Sequence, residues 1–211
     1  MKPIFITATG TGVGKTHAAC LLIDALFALG VKAAPFKPIE TGVAPSELPS
    51  DAAKLYETAR SHGLAIRLEA ICPVRFELPA APDVARGGRA IDWNAIDRGF
   101  DECARSADIV VIEGAGGAFA PIEDDFFSVD LAARFNAQIL VIAGDQLGTI
   151  HNLLTTIEAI KDRINIDLFW AISIKESLDF ERVTEPYLSK KFGSFWRIPK
   201  DIDTIAKILC Q

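Results

Sequence analysis

The chain has 211 residues, of which 50% are hydrophobic and 24% are charged, and its formal net charge is −6. This composition is typical of a soluble globular protein with one full-sized core, and the acidic balance disfavours non-specific binding to nucleic acid or anionic membranes. No apolar run reaches the roughly 18 residues of a membrane span, and no leader-like segment follows Met1. We therefore expect one cytoplasmic domain, residues 1–211, with no nucleic-acid or membrane partner.

Short apolar runs alternate with segments of helical periodicity along the chain. Continuous apolar strands between helices are typical of a parallel sheet covered on both faces. The pattern thus predicts a single-domain α/β fold with a mostly parallel sheet and helices on both faces, which the glycine-rich segment at 7–16, described next, makes one of the P-loop type. The predicted strands are 4–6, 31–37, 108–113, 138–143 and 167–174, with a further short strand within 68–88, and the predicted helices are 14–29, 51–61, 80–86, 91–106, 128–136, 149–164, 180–190 and 201–209.

The most informative segment runs from Thr7 to Thr16 and reads T-A-T-G-T-G-V-G-K-T. It joins the first predicted strand to the first predicted helix, the context in which a glycine-rich loop holds phosphates with backbone N–H groups. Lys15 would reach the terminal phosphates of ATP, and Thr16 would offer its hydroxyl to Mg²⁺. Thr9 stands where the strict pattern has glycine, so an ordinary glycine-rich turn is the alternative. The residues predicted to hold the nucleotide here are Gly12, Val13, Gly14, Lys15, Thr16 and His17.

Charged side chains follow further predicted strands. Lys37 follows the second strand, Glu113 ends the third, and Asp51 opens the helix between them. Because ligands of parallel sheets bind beyond the carboxyl ends of the strands, we expect these groups to meet the glycine loop at one edge. Mg²⁺ prefers one or two carboxylates together with phosphates and water. The candidate magnesium ligands are Thr16, Asp51 and Glu113.

These charged residues also have plainer interpretations. Lys37 could be a solvated lysine at a strand end, and Asp51 a favourable first-turn acid in a helix that Ser50 caps. Asp145 ends a similar apolar run and competes with Glu113 as the acid beside the metal. An acid in that position is buried without a partner unless a cation meets it, and the glycines that follow favour Glu113.

Taken together, these segments resemble the dethiobiotin synthetase family over about residues 4–160. The order and spacing of the segments carry the resemblance more than any one of them. The matching stretches are T-x-T-x-V-G-K-T at 9–16, K-P-I-E-T-G at 37–42, S-D-A at 50–52, R-F-E-L-P-A-A-P-D-V-A at 75–85, V-I-E-G-A-G-G at 111–117 and L-G-T at 147–149.

The resemblance implies a ligase that converts 7,8-diaminononanoate, CO₂ and ATP to dethiobiotin, ADP and phosphate. It also implies a homodimer in which the substrate tail reaches the second subunit. For Thr149 a plain helix cap, and for Tyr187 a packing aromatic, remain the alternatives. The implied catalytic residues are Lys37, Lys15 and Thr11, the further nucleotide-binding residues are Asp51, Glu113, Gly114, Ala115 and Gly116, and the implied substrate-binding residues are Thr41, Gly117, Gly148, Thr149 and Tyr187.

The strand near residue 173 departs from that family. The family often ends this strand with Asn-Asp, which reads adenine, whereas this chain has Ser173-Ile174. An isoleucine side chain has no donor or acceptor for a base edge. We therefore expect weak discrimination among nucleoside triphosphates.

Two other classes of protein share parts of this pattern. ATPases of the partitioning or metal-cluster-delivery type often carry a second lysine near the start of the loop, where this chain has Gly10, and they have no use for K-P-I-E-T-G. A nucleotide-binding module without turnover, or half of a cobyrinate-type amidotransferase, is the second alternative. The amidotransferase needs a glutaminase domain, for which 211 residues leave no room.

Overall fold

The computed structural model describes residues 1–175 and 179–211. A π-helical turn at Phe180–Thr184 precedes the eighth helix. The regular elements, in chain order, are β1 (Ile4–Ala8), α1 (Lys15–Ala28), β2 (Ala33–Phe36), β3 (Ile39–Thr41), α2 (Ser50–Ser61), α3 (Leu68–Ile71), β4 (Val74–Phe76), α4 (Pro82–Ala85), α5 (Trp93–Ser106), β5 (Ile109–Glu113), β6 (Pro121–Glu123), β7 (Phe126–Phe127), α6 (Asp130–Arg134), β8 (Gln138–Gly144), α7 (Thr149–Arg163), β9 (Leu168–Ser173), α8 (Glu185–Phe192), β10 (Trp196–Ile198) and α9 (Ile202–Leu209).

Six of the described strands form one sheet in the order β10-β9-β8-β1-β5-β2, and every pairing in it is parallel. Each residue of β1, β5 and β8 is buried. Successive side chains of a strand point to opposite faces, so helices must cover the sheet on both faces. Helix α1 packs on β1, β2 and β5, while α5 packs on β2 and β5, α6 on β1 and α7 on β8. The predicted α/β fold is confirmed.

The register of the central strands determines which side chains meet at the carboxyl edge. Phe36 of β2 pairs with Ile112 of β5, so Lys37 emerges beside Glu113. Ile6 of β1 pairs with Glu113, and the backbone N–H of Gly114 donates to the carbonyl of Ile6 at 3.0 Å. The glycine loop that follows β1 therefore lies next to Glu113.

Several predicted boundaries differ from the structure for local reasons. Helix α2 begins at Ser50 and takes no side-chain cap from it, so the prediction that Ser50 caps this helix is wrong. Helix α4 is shorter than the predicted 80–86 and begins at Pro82, since the fixed φ of proline suits a first helical position. Helix α6 is shorter than the predicted 128–136: it begins at Asp130, and Asn136, beyond its end, has a left-handed φ of 49° that ends helical geometry.

Two small sheets were not predicted as such. Strand β3 pairs in parallel with β4, and β6 pairs antiparallel with β7. Each strand has only two or three residues, too few to show a hydrophobic period. Among the described residues, no helix is both long and apolar enough to cross a bilayer.

Candidate active site

The loop between β1 and α1 has a backbone that requires glycine. Gly12 and Gly14 lie in the left-handed region, with φ of 76° and 108°. A Cβ on Gly14 would also lie only 2.7 Å from Oγ of Ser173. Helix α1 begins at the next residue without a side-chain cap or a first-turn acid. Its first N–H groups are thus directed to the loop, where they can bind an anion.

The side chain of Lys15, the first residue of α1, extends back over this loop. This side chain is buried, and its ammonium donates to the carbonyl of Gly10 at 3.2 Å. Burial, helped by the charge of Lys37, lowers the pKa of Lys15 to about 8, although Glu113 and Asp51 oppose the shift. The ammonium therefore lacks full compensation in the protein alone, and an anion in the loop would supply it.

Lys37 occupies the centre of the site. Its ammonium donates to Oε1 of Glu113 at 2.6 Å, to the carbonyl of Gly114 at 3.3 Å and to Oδ2 of Asp51 at 3.4 Å. Burial alone would lower the pKa of Lys37, but Glu113 and Asp51 outweigh it and raise the pKa to about 12. Lys37 is therefore a fixed cation at neutral pH. The N–H of Lys37 donates to the carbonyl of Ile71 at 2.7 Å, which ties the end of β2 to α3.

Oxygen atoms suited to Mg²⁺ converge beside Lys37. The hydroxyl of Thr16 donates to Oε1 of Glu113 at 3.0 Å, while Oε2 of Glu113 is buried without a hydrogen-bond partner. The carboxylate of Asp51 is partly exposed on the same cavity. Within residues 1–175 and 179–211, no cluster of three or more His, Cys, Asp or Glu side chains is suited to a metal. These oxygens fit a Mg²⁺ ion that takes its remaining ligands from phosphate and water.

Glu40 determines where Asp51 lies. Its Oε1 accepts from the N–H of Asp51 at 3.0 Å, and its Oε2 accepts from the N–H of Ala52 at 2.9 Å. Glu40 is buried, and its negative charge faces the positive end of α2. The carboxylate thus performs the capping that the sequence suggested for Ser50, and it fixes α2 against the strand that follows Lys37.

Two adjoining cavities open at this edge. The first has a volume of about 470 Å³ and contains both lysines and the acids, and the second has a volume of about 350 Å³ and carries no charged lining residue. Thr11, Thr41 and Gly116 line both cavities. The first is lined by Thr11, Gly12, Gly14, Lys15, Thr16, His17, Lys37, Ile39, Glu40, Thr41, Asp51, Lys54, Glu113, Ala115, Gly116 and Lys175. The second is lined by Thr11, Thr41, Pro79, Ala80, Ala81, Pro82, Gly116, Gly117 and Ala120.

Some predicted residues lie outside these cavities. Thr149 is buried and its hydroxyl donates to the carbonyl of Gly144 at 2.6 Å. Thr149 is the first residue of α7 and Gly148 is the N-cap, so the alternative of Thr149 as a plain helix cap is wrong. Gly148 precedes it with φ of 92°. Tyr187 lies on α8 and is 43% exposed. Asp145, the competitor of Glu113, accepts the N–H of Lys175 instead of lining the cavity.

Sequence reasoning missed four residues of the first cavity: the apolar Ile39 and three charged residues, Glu40, Lys54 and Lys175. Glu40 belongs to the quoted K-P-I-E-T-G stretch, which could have indicated a role. Lys54 lies one helical turn after Asp51, and this spacing places both on one face of α2. Lys175 follows β9, and no sequence motif around it indicated a place in the site.

Comparison with known proteins places the chain in a family. The AAA domain family matches residues 2–205. The chain is 37% identical to the ATP-dependent dethiobiotin synthetase BioD of Sulfurovum sp. (strain NBC37-1), over 99% of this chain and 100% of that protein. It is 33% identical to the protein of the same name from Wolinella succinogenes, over 99% of this chain and 98% of that protein.

Solved structures with the same fold are more distant. A plasmid partition protein from Borrelia burgdorferi has a TM-score of 0.56 at 14% identity, over 100% of this chain and 99% of that chain. A ParA family ATPase from Chlorobium tepidum TLS has a TM-score of 0.51 at 12% identity, over 100% of this chain and 90% of that chain. Such low identity shows the fold alone. On the full-length sequence matches, the chain belongs to the ATP-dependent dethiobiotin synthetase family.

Proposed function

We propose that the protein is a dethiobiotin synthetase, which joins CO₂ to 7,8-diaminononanoate with Mg²⁺ and ATP and closes the ureido ring. The observation that carries this proposal is the pair of adjoining cavities that share Thr11, Thr41 and Gly116. One is charged and contains the phosphate loop. The other is neutral and has alanine and proline walls, which suit an aliphatic diamine. A substrate spanning both would bring its amines to the phosphates.

The reaction has three bond-forming steps. One amine of the diamine adds to CO₂ and loses a proton, which gives a carbamate. The carbamate oxygen then attacks the γ-phosphorus as the bond to ADP breaks, which gives a carbamic–phosphoric anhydride. The second amine attacks the carbonyl carbon, phosphate departs with the bonding electrons, and loss of a proton leaves the cyclic urea.

The main electrostatic task is to hold a carbamate beside a triphosphate, since both are anions. Lys37, fixed as a cation by Glu113, and Lys15, whose ammonium an anion would stabilise, serve this task. Preorganised charges in a water-poor site stabilise the developing charge of the transferred phosphoryl group. Orientation of bound reactants supplies on the order of 7–11 kcal/mol in favourable cases. Thr16, Asp51 and Glu113 would hold Mg²⁺, which would supply positive charge against the phosphates.

Thr11 and Thr41 are assigned to the substrate. Both line the two cavities, so their hydroxyls are available where the carbamate meets the phosphates. Gly117 lines the neutral cavity and packs against the start of the phosphate loop, where a Cβ would lie 3.4 Å from the carbonyl of Ala8. Its place in the wall of the neutral cavity supports a role for Gly117 in shaping the site of the diamine.

We place the anchor for the carboxylate tail at a homodimer interface. Gly148, Thr149 and Tyr187 do not line either cavity within one chain. Leu147, beside the first two, is 96% exposed, and an apolar side chain this exposed at a loop tip is suited to contact with a second copy. Sedimentation equilibrium should give twice the monomer mass, and Leu147→Asp should shift the protein to monomers with weaker diamine binding.

The activity is tested with purified protein, 7,8-diaminononanoate, bicarbonate, Mg²⁺ and ATP. We expect dethiobiotin by mass spectrometry, with one ADP released per product and phosphate release that requires the diamine. Phosphate release that ignores the diamine, without dethiobiotin, would instead support an ATPase of the partitioning type. Lys15→Ala is the negative control: it should bind ATP poorly and form neither dethiobiotin nor ADP.

A further inference from the structure

We infer that Lys175 binds the nucleotide polyphosphate and makes nucleotide affinity depend on charge instead of on the base. The inference rests on nucleotide binding in the proposed active site and names a residue with no assigned role. Lys175 follows β9 and lines the charged cavity together with Lys15 and Lys37.

The backbone around Lys175 is held at the phosphate loop from two sides. Its N–H donates to Oδ2 of Asp145 at 2.8 Å, which ties it to the end of β8. Ser173, two residues earlier, lies so close to the loop that a Cβ on Gly14 would come within 2.7 Å of its Oγ. The start of the Lys175 side chain is therefore fixed beside the loop.

The ammonium of Lys175 reaches back over the loop and donates to the carbonyl of Gly12 at 2.9 Å. Within the described part of the chain, no carboxylate lies within ion-pair distance of this ammonium. A lysine ammonium has three donor hydrogens, so the bond to Gly12 leaves two for another acceptor. The oxygens of a polyphosphate in the loop are the acceptors that its charge favours.

The described residues that precede Lys175 offer little to a base. The side chain of Ile174 packs with the apolar cluster that includes Leu153 and Ile172. Ser173 is buried against Gly14. In this chain, the end of β9 therefore supplies a cation that recognises phosphates where a polar pair would recognise an adenine.

The test measures nucleotide affinity by isothermal titration with the diamine omitted, using ATP, GTP, CTP and AMP. Lys175→Met should raise the Kd for the three triphosphates about tenfold and by the same factor, since a charge-assisted hydrogen bond is lost whatever the base. AMP should be affected less. Lys175→Gln, which keeps a donor without the charge, should behave like Lys175→Met, and Lys175→Arg should bind like the parent protein.

A control variant and the results that would contradict the inference can be stated separately. Lys161→Met removes an exposed lysine of α7 and should leave every Kd unchanged. A change in the ratio of the Kd values for ATP and GTP would assign Lys175 to the base, and normal affinity in Lys175→Met would overturn the inference. If Lys175→Met weakened binding but Lys175→Gln did not, the hydrogen bond to Gly12 and not the positive charge would matter, and the inference of a phosphate contact would be overturned. None of these readouts requires dethiobiotin formation, so failure of the ligase assay would leave the binding result interpretable.

Discussion

The ammonium of Lys37 lies 2.6 Å from Oε1 of Glu113, and both side chains are almost wholly excluded from solvent. Removal of one member of such a buried ion pair is strongly destabilising, because the other charge is left buried without a partner. The pair thus links the stability of the fold to the electrostatics of the candidate site.

Lys37→Met should lower turnover about 10²- to 10³-fold, the usual loss when one preorganised donor is removed. It should also lower the free energy of unfolding by about 3–5 kcal/mol, since Glu113 is left buried and unpaired. Urea denaturation and the dethiobiotin assay measure the two effects. The double variant Lys37→Met/Glu113→Gln should recover much of the stability but none of the turnover. Full activity in Lys37→Met would remove Lys37 from the proposed mechanism.

Glu40→Ala should lower the free energy of unfolding by about 2 kcal/mol, because two backbone N–H groups at the start of α2 lose a charged acceptor. Turnover should fall as well, since Asp51 is no longer held in place. The matched control is Ser50→Ala, which removes an exposed hydroxyl from the same helix end and should change the free energy by less than about 0.5 kcal/mol. Equal effects of the two variants in urea denaturation would contradict the assigned cap.

Alanine substitutions at Gly12 and Gly14 should differ in severity. Both place a Cβ in left-handed backbone, at a cost of about 1–2 kcal/mol, but only the Cβ on Gly14 meets another group, Oγ of Ser173. Gly14→Ala should therefore lower the melting temperature more than Gly12→Ala. Adding Ser173→Gly should relieve the extra loss while leaving the backbone strain. A Gly14→Ala protein as stable as Gly12→Ala would show that Ser173 moves aside freely.

Nucleotide affinity should weaken at alkaline pH because of Lys15. Its pKa of about 8 in the protein alone means that the ammonium is present at lower pH and is lost as pH rises through this value. A bound phosphate favours the charged form and raises the pKa, so the Kd for ATP should rise by up to tenfold per pH unit above about pH 8. Below that pH the Lys15 contribution should be constant. Titrations in Lys15→Arg, which stays charged, should lack this dependence.

The meeting of distant charged residues could be predicted because parallel strands share a carboxyl edge, and the register confirms that Lys37 emerges beside Glu113. The K-P-I-E-T-G stretch marked Glu40 as a candidate, but its bonds to the start of α2 could not be predicted, since they reach 11 and 12 residues along the chain across a loop without periodicity. The contact of Thr149 could not be predicted either, because its hydroxyl donates to the carbonyl of Gly144 at the end of β8 instead of facing a ligand. The functional roles of the site residues remain predictions.

The parallel register of β1, β2 and β5 has a consequence for the protein in the cell. The groups around the cavity come from chain positions as far apart as residues 11 and 175, so no short fragment contains them all. A nucleotide that recognises the whole set has affinity only for the completed molecule. The bound nucleotide therefore stabilises the folded state and adds RT ln(1 + [L]/Kd) to the free energy of unfolding, where [L] is the concentration of free nucleotide. Cells rich in nucleotide would thereby protect the protein from proteolysis before any diamine arrives.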